Sequence, residues 1–273
     1  MLISVSIVTY RQSSHVLRNT LTSLGAALRR LEGLGVSGRQ PYAMLTLVDN
    51  GTDLRGSDYT SALENSNAEV LVFSGHGNVG YGRGHNLVIN GARSRFHLIL
   101  NPDVEIDEDA LWNAIDFLDK HADVGLITPL IFGGNGIQQY LCRRYPAVTD
   151  LLLRGFTPIS LKRWFDHRLA NYEMREVIND HDVVWDPPIV SGCFMLFRTD
   201  ILKRLRGFDP RYFLYFEDYD LSLRTHAVAR IAYVPSVRIV HHGGGASRKG
   251  VKHIGMFAQS AFKFYRRFGW KWV

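Results

Sequence analysis

The acids of the segment FEDYD, residues 216–220, are the side chains best suited to acid–base chemistry. Glu217, Asp218 and Asp220 fall within five residues of an aromatic stretch. Carboxylates that repel one another beside apolar rings hold at least one raised pKa, which suits a general base. The same acids would also stabilise the N-terminus of a helix through its dipole. Both interpretations are open at this point.

A further carboxylate could bind a cation. Asp103 ends the segment LILNPD, in which an apolar run leads into polar residues. Mg²⁺ or Mn²⁺ is usually held by one or two carboxylates together with substrate phosphates. Asn101, two residues earlier, would point to the same side of an extended chain and could add an oxygen ligand. The alternative is a turn with side-chain to backbone hydrogen bonds.

Two adjacent histidines, His241 and His242, follow an apolar segment and precede three glycines. Neighbouring side chains on a strand diverge, so only one of the two is expected to reach any given site. The glycines would leave room for a ligand. The alternative is a buried histidine with a purely structural role.

The glycine run GHGNVGYGRGHN, residues 75–86, contains the G-x-G-x-x-G pattern of dinucleotide-binding folds. In those folds the pattern follows the first strand, whereas here it follows the third predicted strand. Gly82 and Gly84 would each weaken a helix by up to about 1 kcal/mol relative to Ala. We therefore expect a loop in place of a helix start, and a dehydrogenase is disfavoured.

These residues belong to a chain in which apolar strands alternate with helical patterns, which predicts an α/β fold with a mostly parallel sheet. Open sheets of this kind bind ligands beyond the carboxyl ends of their strands. A second helix is expected near residues 59–65, an irregular region over 133–171, and helix starts at Thr199 or Asp200 and near Glu217. The predicted strand ends and their polar residues are Thr9-Tyr10-Arg11, Asp49-Asn50, the glycine run and Asn101-Pro102-Asp103.

Composition is typical of a globular protein, with 46% apolar and 21% charged residues. No apolar run is long enough to predict a spanning helix, and the N-terminus is expected to form a strand instead of a signal peptide. The two cysteines, Cys142 and Cys193, are expected to be reduced in a cytosolic protein.

The net charge of +6 is concentrated partly in the C-terminal segment SAFKFYRRFGWKWV, where cations alternate with aromatic residues. Such a segment suits an anionic membrane surface. The alternative is a terminal helix that packs its aromatic residues on the domain. No pattern typical of nucleic-acid binding is present, so nucleic acid is not expected as a partner.

Taken in order, the motifs resemble those of the family 2 glycosyltransferases of the GT-A fold, and within them the rhamnosyltransferase-like group. Each motif alone is a weak indication of the family, but seven motifs in the family's order are highly specific for it. They span residues 3–247 and read VSIVTYR, LVDNGT, GNVGYGRGHN, LILNPDV, SGCFMLFR, GFDPRYFLYFEDYDLSLR and VHHGGGAS.

The resemblance implies roles for individual residues. Asp218 matches the catalytic base, and Glu217 is the candidate for orienting the acceptor, with Trp185 or Tyr215 stacking on a sugar. Asp103 matches the metal-binding acid of the family's D-x-D motif, with Asn101 in place of the first Asp. His241 matches an additional metal ligand, with His242 as the alternative. The positions that match donor-binding residues are Thr9, Tyr10, Arg11, Asp49, Asn78, Gly80, Asn86, Asn101 and Asp103.

The resemblance also implies an activity: transfer of a sugar with inversion, assisted by Mg²⁺ or Mn²⁺. The expected donor is dTDP-L-rhamnose, with UDP-galactose or UDP-N-acetylglucosamine as alternatives. The expected acceptor is a glycan or a lipid-linked sugar in bacterial surface polysaccharide synthesis, at the inner face of the membrane. Residues 1–250 would form the catalytic domain and residues 251–273 a segment that contacts the membrane. The rival class is a non-catalytic nucleotide-sugar-binding protein, which the presence of Asp103, Asp218 and His241 disfavours.

Overall fold

Strands and helices alternate through the N-terminal half, as the apolar pattern predicted. The computed structural model describes residues 1–33, 42–51, 54, 61–63, 66–156, 163–243 and 250–273 of the chain. The strands are β1 (Ile3–Thr9), β2 (Ala43–Asp49), β3 (Ala68–Phe73), β4 (Phe96–Leu100), β5 (Val104–Ile106), β6 (Val124–Gly133), β7 (Val184–Trp185), β8 (Phe194–Arg198) and β9 (Arg230–His241). The helices are α1 (Ser14–Gly33), α2 (Tyr81–Ile89), α3 (Ala110–Lys120), α4 (Val148–Phe156), α5 (Asp166–Tyr172), α6 (Thr199–Arg204), α7 (Glu217–Thr225) and α8 (Val251–Phe268).

In the described part of the chain, the strands form one sheet in the order β3-β2-β1-β4-β8-β6-β9-β5, with β7 paired to β9. Strands β3, β2, β1 and β4 run parallel, so their carboxyl ends share one edge. Strand β8 is antiparallel to both β4 and β6, whereas β6 and β9 are parallel. The start of β8 therefore lies at the same edge as the ends of β4 and β6. The predicted mixed α/β sheet is confirmed.

The sheet carries apolar layers on both faces. Helix α1 buries leucines at helical spacing, among them Leu17, Leu21, Leu24 and Leu28, as expected for an amphipathic helix. It packs with α3 and β5, while α2 contacts β1 and β2. These contacts cover β1 and β2, while polar side chains gather at the carboxyl ends of the parallel strands.

A row of buried polar side chains links the first strands to α2. Ser4 Oγ lies 2.7 Å from His97 Nδ1, and Ser6 Oγ lies 2.9 Å from His97 Nε2 and 2.7 Å from His85 Nδ1. Burial lowers the pKa of His97 to about 3, and the pKa of His85 is also lowered. Both rings are therefore neutral at physiological pH, and they hold β1, β4 and α2 together beneath the carboxyl edge.

The glycine run differs from the prediction, because α2 begins at Tyr81 and includes Gly82 and Gly84. A Cβ on Gly82 would lie 2.8 Å from Cβ of Phe208, and one on Gly84 would lie 2.9 Å from a methyl group of Val8. Both distances are far too short for carbon atoms. The two glycines lower the helix propensity of α2, but only glycine lets α2 approach its neighbours this closely, and this packing outweighs the lower propensity.

The described residues of the range 133–171 contain more secondary structure than predicted, since α4 and the start of α5 lie there. The predicted helix near residues 59–65 falls largely outside the described residues, of which 61–63 form a single 3₁₀ turn. The predicted helix starts at Thr199 and Glu217 are confirmed. Both cysteines are buried as free thiols.

Helix α8 packs part of the C-terminal segment onto the domain. Phe264 and Tyr265 are buried in a cluster with residues of α4 and α7, while Phe262, Trp270 and Trp272 stay exposed. The backbone carbonyl of Lys271 accepts a 2.7 Å hydrogen bond from the N–H of Val148. The segment is thus anchored on one side and presents aromatic rings on the other. None of the helices described has the length and apolar character needed to cross a bilayer.

Candidate active site

A cavity of about 350 Å³ opens at the carboxyl edge where the ends of β4 and β9 meet the start of β8. Six of the predicted site residues lie in its wall. They come from three separate parts of the chain, which the strand order brings together. These residues are Asn101, Asp103, Tyr215, Glu217, Asp218 and His241.

The acidic side chains enter the cavity because the backbone turns sharply before α7. Tyr215 and Phe216 have φ angles of 71° and 66°, a left-handed conformation that costs about 1–2 kcal/mol per residue outside glycine. Phe216 is held by its buried aromatic contacts, and Tyr215 lies 2.8 Å from Nδ1 of His253 through its hydroxyl. Strain of this kind is concentrated at functional sites, where surrounding contacts compensate for it.

Asp218 has the geometry expected of a base. Its Oδ2 accepts a 3.0 Å hydrogen bond from the N–H of Gly192, and its Oδ1 accepts one of the same length from Tyr219. Burial raises the pKa of Asp218, whereas these two N–H donors and the charge of Arg143 act in the opposite direction. The carboxylate is thereby oriented and kept more basic than an exposed aspartate.

Glu217 lies beside Asp218 in a less polar environment. It is 5% exposed, and its Oε2 is buried without a hydrogen-bond partner. Burial and the charge of Asp218 raise the pKa of Glu217 to about 8. The pair therefore carries one negative charge near neutral pH, with Glu217 protonated and Asp218 ionised. A protonated carboxyl can donate a hydrogen bond to a sugar hydroxyl.

Asp103 and His241 face each other across the cavity. Nε2 of His241 lies 3.6 Å from Oδ1 of Asp103, and its Nδ1 lies 3.1 Å from Oε1 of Gln139. His242 instead contacts Glu105 at 2.9 Å. Of the two histidines, His241 is thus the one directed at Asp103.

This pair fits a divalent cation. The side-chain oxygens Oδ1 of Asp103 and Oδ1 of Asn101 are buried without hydrogen-bond partners. A Cβ on Gly243 would collide with Oδ2 of Asp103 and lie 2.6 Å from Nε2 of His241, so glycine keeps the space between them open. Within the described residues, no three His, Cys, Asp or Glu side chains converge on one point. The protein would therefore supply two ligands, and diphosphate oxygens would complete the coordination.

A second group of predicted residues lies at the ends of β1 and β2. Thr9 and Asp49 are register partners there, and both are buried. Asp49 holds the following turn, because its two oxygens accept the N–H groups of Gly51 and Leu54. Tyr10 and Arg11 are exposed beside this turn, with the guanidinium 5.4 Å from the ring centre.

The glycine run joins this group through Asn50, already noted at the end of the second predicted strand, and His76; neither was assigned a role from the sequence. Asn50 donates to the carbonyl of Gly80 at 3.1 Å, and its Oδ1 lies 3.1 Å from Nε2 of His76. Asn78 accepts the N–H of Gly80 at 2.9 Å. Gly80 has a φ of 92°, and a Cβ there would collide with the carbonyl of Phe213. The run thus supports a shallow polar floor beside β1 and β2.

Two predicted residues lie elsewhere. The amide of Asn86 bonds to both backbone groups of Phe208, at 2.8 and 2.9 Å, so it fixes a loop in place of contacting a donor. Trp185 pairs with Ala232 near the start of β9, nine residues before His241. The partner strand β6 covers the same span in six residues, from Ile127 to Gly133, or about 20 Å at about 3.3 Å per residue, and Trp185 is not in the cavity wall.

Tyr81 and Gln139 are among the cavity-wall residues to which the sequence assigned no role. Tyr81 donates to the carbonyl of Gly192 at 2.6 Å and so supports the loop that binds Asp218. Gln139 donates its amide N–H to the backbone carbonyl of His241, and its Oε1 lies 3.1 Å from Nδ1 of the His241 ring and so orients that ring. Tyr81 lay within a recognised motif, whereas Gln139 lies in a segment with no periodic signal.

Comparisons with known proteins identify the family. The sequence matches the profile described as Glycosyl transferase family 2 over residues 4–206. The chain therefore belongs to glycosyl transferase family 2, and it is a glycosyltransferase.

Two curated relatives are rhamnosyltransferases. The chain is 25% identical to rhamnosyltransferase WbbL of Escherichia coli over 196 residues, covering 68% of this chain and 67% of the relative. It is 27% identical to the N-acetylglucosaminyl-diphospho-decaprenol L-rhamnosyltransferase of Mycobacterium tuberculosis over 261 residues, covering 89% of this chain and 81% of the relative.

Solved structures agree on the fold. Staphylococcus aureus TarS with UDP-GlcNAc superposes with a TM-score of 0.58 at 18% identity, covering 97% of this chain and 67% of TarS. The mannosyltransferase PcManGT of Pyrobaculum calidifontis, with GDP-Man and Mn²⁺, gives 0.60 at 17% identity, covering 97% of this chain and 64% of that one. The chain thus spans about two thirds of the length of these neighbours. The predicted GT-A fold is confirmed.

Proposed function

We propose that the protein is an inverting rhamnosyltransferase that uses dTDP-L-rhamnose and an acceptor sugar linked through diphosphate to a lipid. The observation that carries the catalytic part is the meeting of Asp218 with Asp103 and His241 in one cavity. The donor and acceptor rest on the two rhamnosyltransferase relatives, one of which is named for a diphospho-decaprenol acceptor. Surface polysaccharide synthesis at the cytoplasmic face of the membrane is part of the same proposal.

Asp218 accepts the proton of the attacking acceptor hydroxyl in this mechanism. The bond from that oxygen to the anomeric carbon forms as the bond to the donor diphosphate breaks, from opposite faces, which inverts the configuration. Glu217 in its protonated form donates a hydrogen bond that orients the acceptor. Since a diphosphate is a good leaving group, one ionised carboxylate suffices as the base.

The donor is held at the other end of the site. The floor formed by Thr9, Asp49 and the glycine run lies beside β1 and β2 and accommodates the nucleoside. Asp103 and His241 would hold Mg²⁺ or Mn²⁺ against the diphosphate. A cation bound there neutralises the charge that develops on the leaving group.

The C-terminal segment supports contact with a membrane. Its exposed rings, Phe262, Trp270 and Trp272, stand among Arg266 and Lys271. Aromatic rings suit the headgroup region, and cations suit anionic lipids. A lipid-linked acceptor would be met at that surface.

The test is a donor panel read by thermal stability and by product mass. The purified chain is incubated with dTDP-L-rhamnose, UDP-galactose, UDP-N-acetylglucosamine or NAD, each with and without Mn²⁺. A ligand at about 100 times its Kd adds about 2.7 kcal/mol of stability. We expect the largest shift with dTDP-L-rhamnose and metal, and a deoxyhexose added to a diphospholipid-linked sugar. Stabilisation and transfer with a UDP-sugar alone would overturn the rhamnose assignment, and stabilisation by NAD alone would overturn the transferase.

A further inference from the structure

A second cavity, of about 450 Å³, adjoins the cavity that contains Asp218, and most of the charged side chains in its wall are arginines. The two cavities share wall residues that include Gln139, Arg143 and Arg154. The charged side chains in the wall of the second cavity are Arg143, Arg154, Arg175 and Glu173. Three positive charges and one negative charge leave this wall with a net charge of +2.

Glu173 positions the arginines without satisfying all of them. Its Oε2 accepts a 2.6 Å hydrogen bond from Arg175. Its Oε1 lies 3.6 Å from nitrogen atoms of both Arg143 and Arg154, which is beyond hydrogen-bonding distance. One carboxylate oxygen thus attracts two guanidinium groups and leaves N–H donors of Arg154 available for another anion.

Arg143 is an unusual group to bury for structural reasons alone. Its side chain is 5% exposed, lies over the ring of Tyr172 and donates to the carbonyl of Tyr140 at 3.0 Å. A buried guanidinium stays charged and is costly unless anions compensate it, and the Glu173 carboxylate lies 3.6 Å away and is shared with Arg154 and Arg175. The forked donors of arginine suit phosphate oxygens in particular.

The cavity lies on the acceptor side of the site. The nucleoside floor is at β1 and β2, and the pair Asp103–His241 lies next to the end of β4. The arginines belong to segments after β6 and around α4 and α5, which lie beyond β8 in the strand order. The arginine cavity adjoins the Asp103–His241 pair through Gln139 and Gly243 and extends from it away from β1 and β2. An anion among the arginines would therefore lie opposite the nucleoside, where the attacking molecule enters.

We infer that the cavity lined by Arg143, Arg154 and Arg175 binds the diphosphate of the acceptor. This inference rests on the proposed function and assigns one of its substrates a binding site. Arg154 lies on α4, whose first residues, Val148 and Thr149, bond to the carbonyls of Lys271 and Trp272. A diphosphate in this cavity would therefore place the sugar toward Asp218 and the lipid toward the exposed C-terminal rings.

The first arm of the test uses inorganic pyrophosphate without metal, measured by calorimetry. The test variant is Arg154→Gln, because Arg154 is partly exposed and its loss spares the buried core. The matched control is Arg144→Gln, since Arg144 pairs with Glu176 and lies outside both cavity walls. We expect Arg154→Gln to weaken pyrophosphate binding at least tenfold and Arg144→Gln to leave it within twofold. Equal binding by all three proteins would overturn the site.

The second arm separates the diphosphate of the acceptor from that of the donor. The acceptors are a sugar 1-diphosphate ester of a short prenol and an uncharged alkyl glycoside of the same sugar. We expect Arg154→Gln to raise the KM of the diphosphate acceptor about tenfold and to leave the donor KM and the neutral acceptor unchanged. A higher donor KM with an unchanged acceptor KM would assign the cavity to the donor and overturn the inference.

The two arms distinguish this inference from the proposed function. A wild-type protein that binds pyrophosphate through Arg154 but transfers no sugar would retain the anion site and contradict the function. Sugar transfer that is indifferent to Arg154 in both arms would retain the function and contradict the site.

Discussion

At the scale of single residues, the site depends on two adjacent carboxylates in different protonation states. Burial raises the pKa of both, and the charge of Asp218 adds to the rise at Glu217, whereas N–H donors from Gly192 and Tyr219 and the charge of Arg143 oppose the rise at Asp218. Those donors favour its ionised form, so the proton of the pair resides on Glu217. The acid and base assignments therefore follow from backbone geometry and not from residue type.

Replacing Asp218 by Asn removes the base while keeping the side-chain shape. We expect kcat to fall by about 10²–10⁴, the usual contribution of a general base. The affinity for the nucleoside diphosphate, measured by thermal shift, is expected to stay within twofold. The control is Asp116→Asn, an exposed acid paired with Lys120. An Asp218→Asn variant with normal turnover would contradict the assignment.

Replacing Glu217 by Gln tests its raised pKa through stability. The pKa of Glu217 in the folded protein, about 8, exceeds its ordinary value of 4.5. The contribution of Glu217 to the free energy of unfolding is therefore fully present below pH 4.5 and is lost as the pH rises through 8. Between pH 6.5 and 8 we expect Glu217→Gln to gain about 1–2 kcal/mol relative to the wild type. Urea unfolding at both pH values measures this, with Glu108→Gln as the exposed control. A constant difference between variant and wild type would contradict the raised pKa.

At the scale of elements, α2 shows how packing overrides helix propensity. The helix contains two glycines that propensity disfavours, yet it forms because they let Phe208 and Val8 approach its backbone. The same approach brings Tyr81 to the catalytic cavity at the first position of the helix. A feature that looked like a flexible loop in the sequence is thus a close-packed support of the site.

A pair of substitutions checks this reasoning. Gly84→Ala should destabilise the protein by about 1–3 kcal/mol, because the new methyl group overpacks against Val8. A new Cβ in Gly155→Ala, in α4, would meet no atom of the described residues within 4 Å, and the substitution should stabilise the protein by up to about 1 kcal/mol. Thermal unfolding of the two variants gives both values. A neutral or stabilising Gly84→Ala would show that α2 is not held by this contact.

At the scale of the whole molecule, the sequence predicted the strand ends well and the second half poorly. Asp103 and Asp218 could be placed because each stands next to a periodic or motif-bearing segment. The grouping of Arg143, Arg154 and Arg175 in the second cavity could not be predicted, since these residues are separated in sequence and meet only through tertiary packing. Trp185 was misplaced for a related reason: its sequence neighbours do not reveal that β7 pairs with the far end of β9.

The proposed membrane contact depends on side chains that only the folded surface brings together, so it is tested on the whole protein. The double substitution Trp270→Ala and Trp272→Ala removes exposed rings but keeps the backbone carbonyls that bond to α4. We expect binding to anionic liposomes, measured by co-sedimentation, to fall at least tenfold, and wild-type binding to weaken with salt. Trp185→Ala, a partly exposed tryptophan on another surface, is the control. Equal sedimentation of all three proteins would contradict a membrane-binding role for these rings.

The hydrogen bonds in the row of buried polar side chains beneath the site all donate in the same direction along the row. The hydroxyl of Ser94 donates its single proton to the carbonyl of Phe96. In the contact between Ser4 and Ser94, Ser4 must therefore be the donor. Since the proton of Ser4 is then used, Nδ1 of His97 must donate to Ser4. Ser6 then donates to Nε2 of His97 and receives from Nδ1 of His85. Each imidazole is thereby confined to one tautomer, and Nε2 of His85 remains a bare lone pair under Tyr81. One carbonyl on β4 thus sets the proton order of a whole row, and only a hydrogen-bond donor could complete its far end.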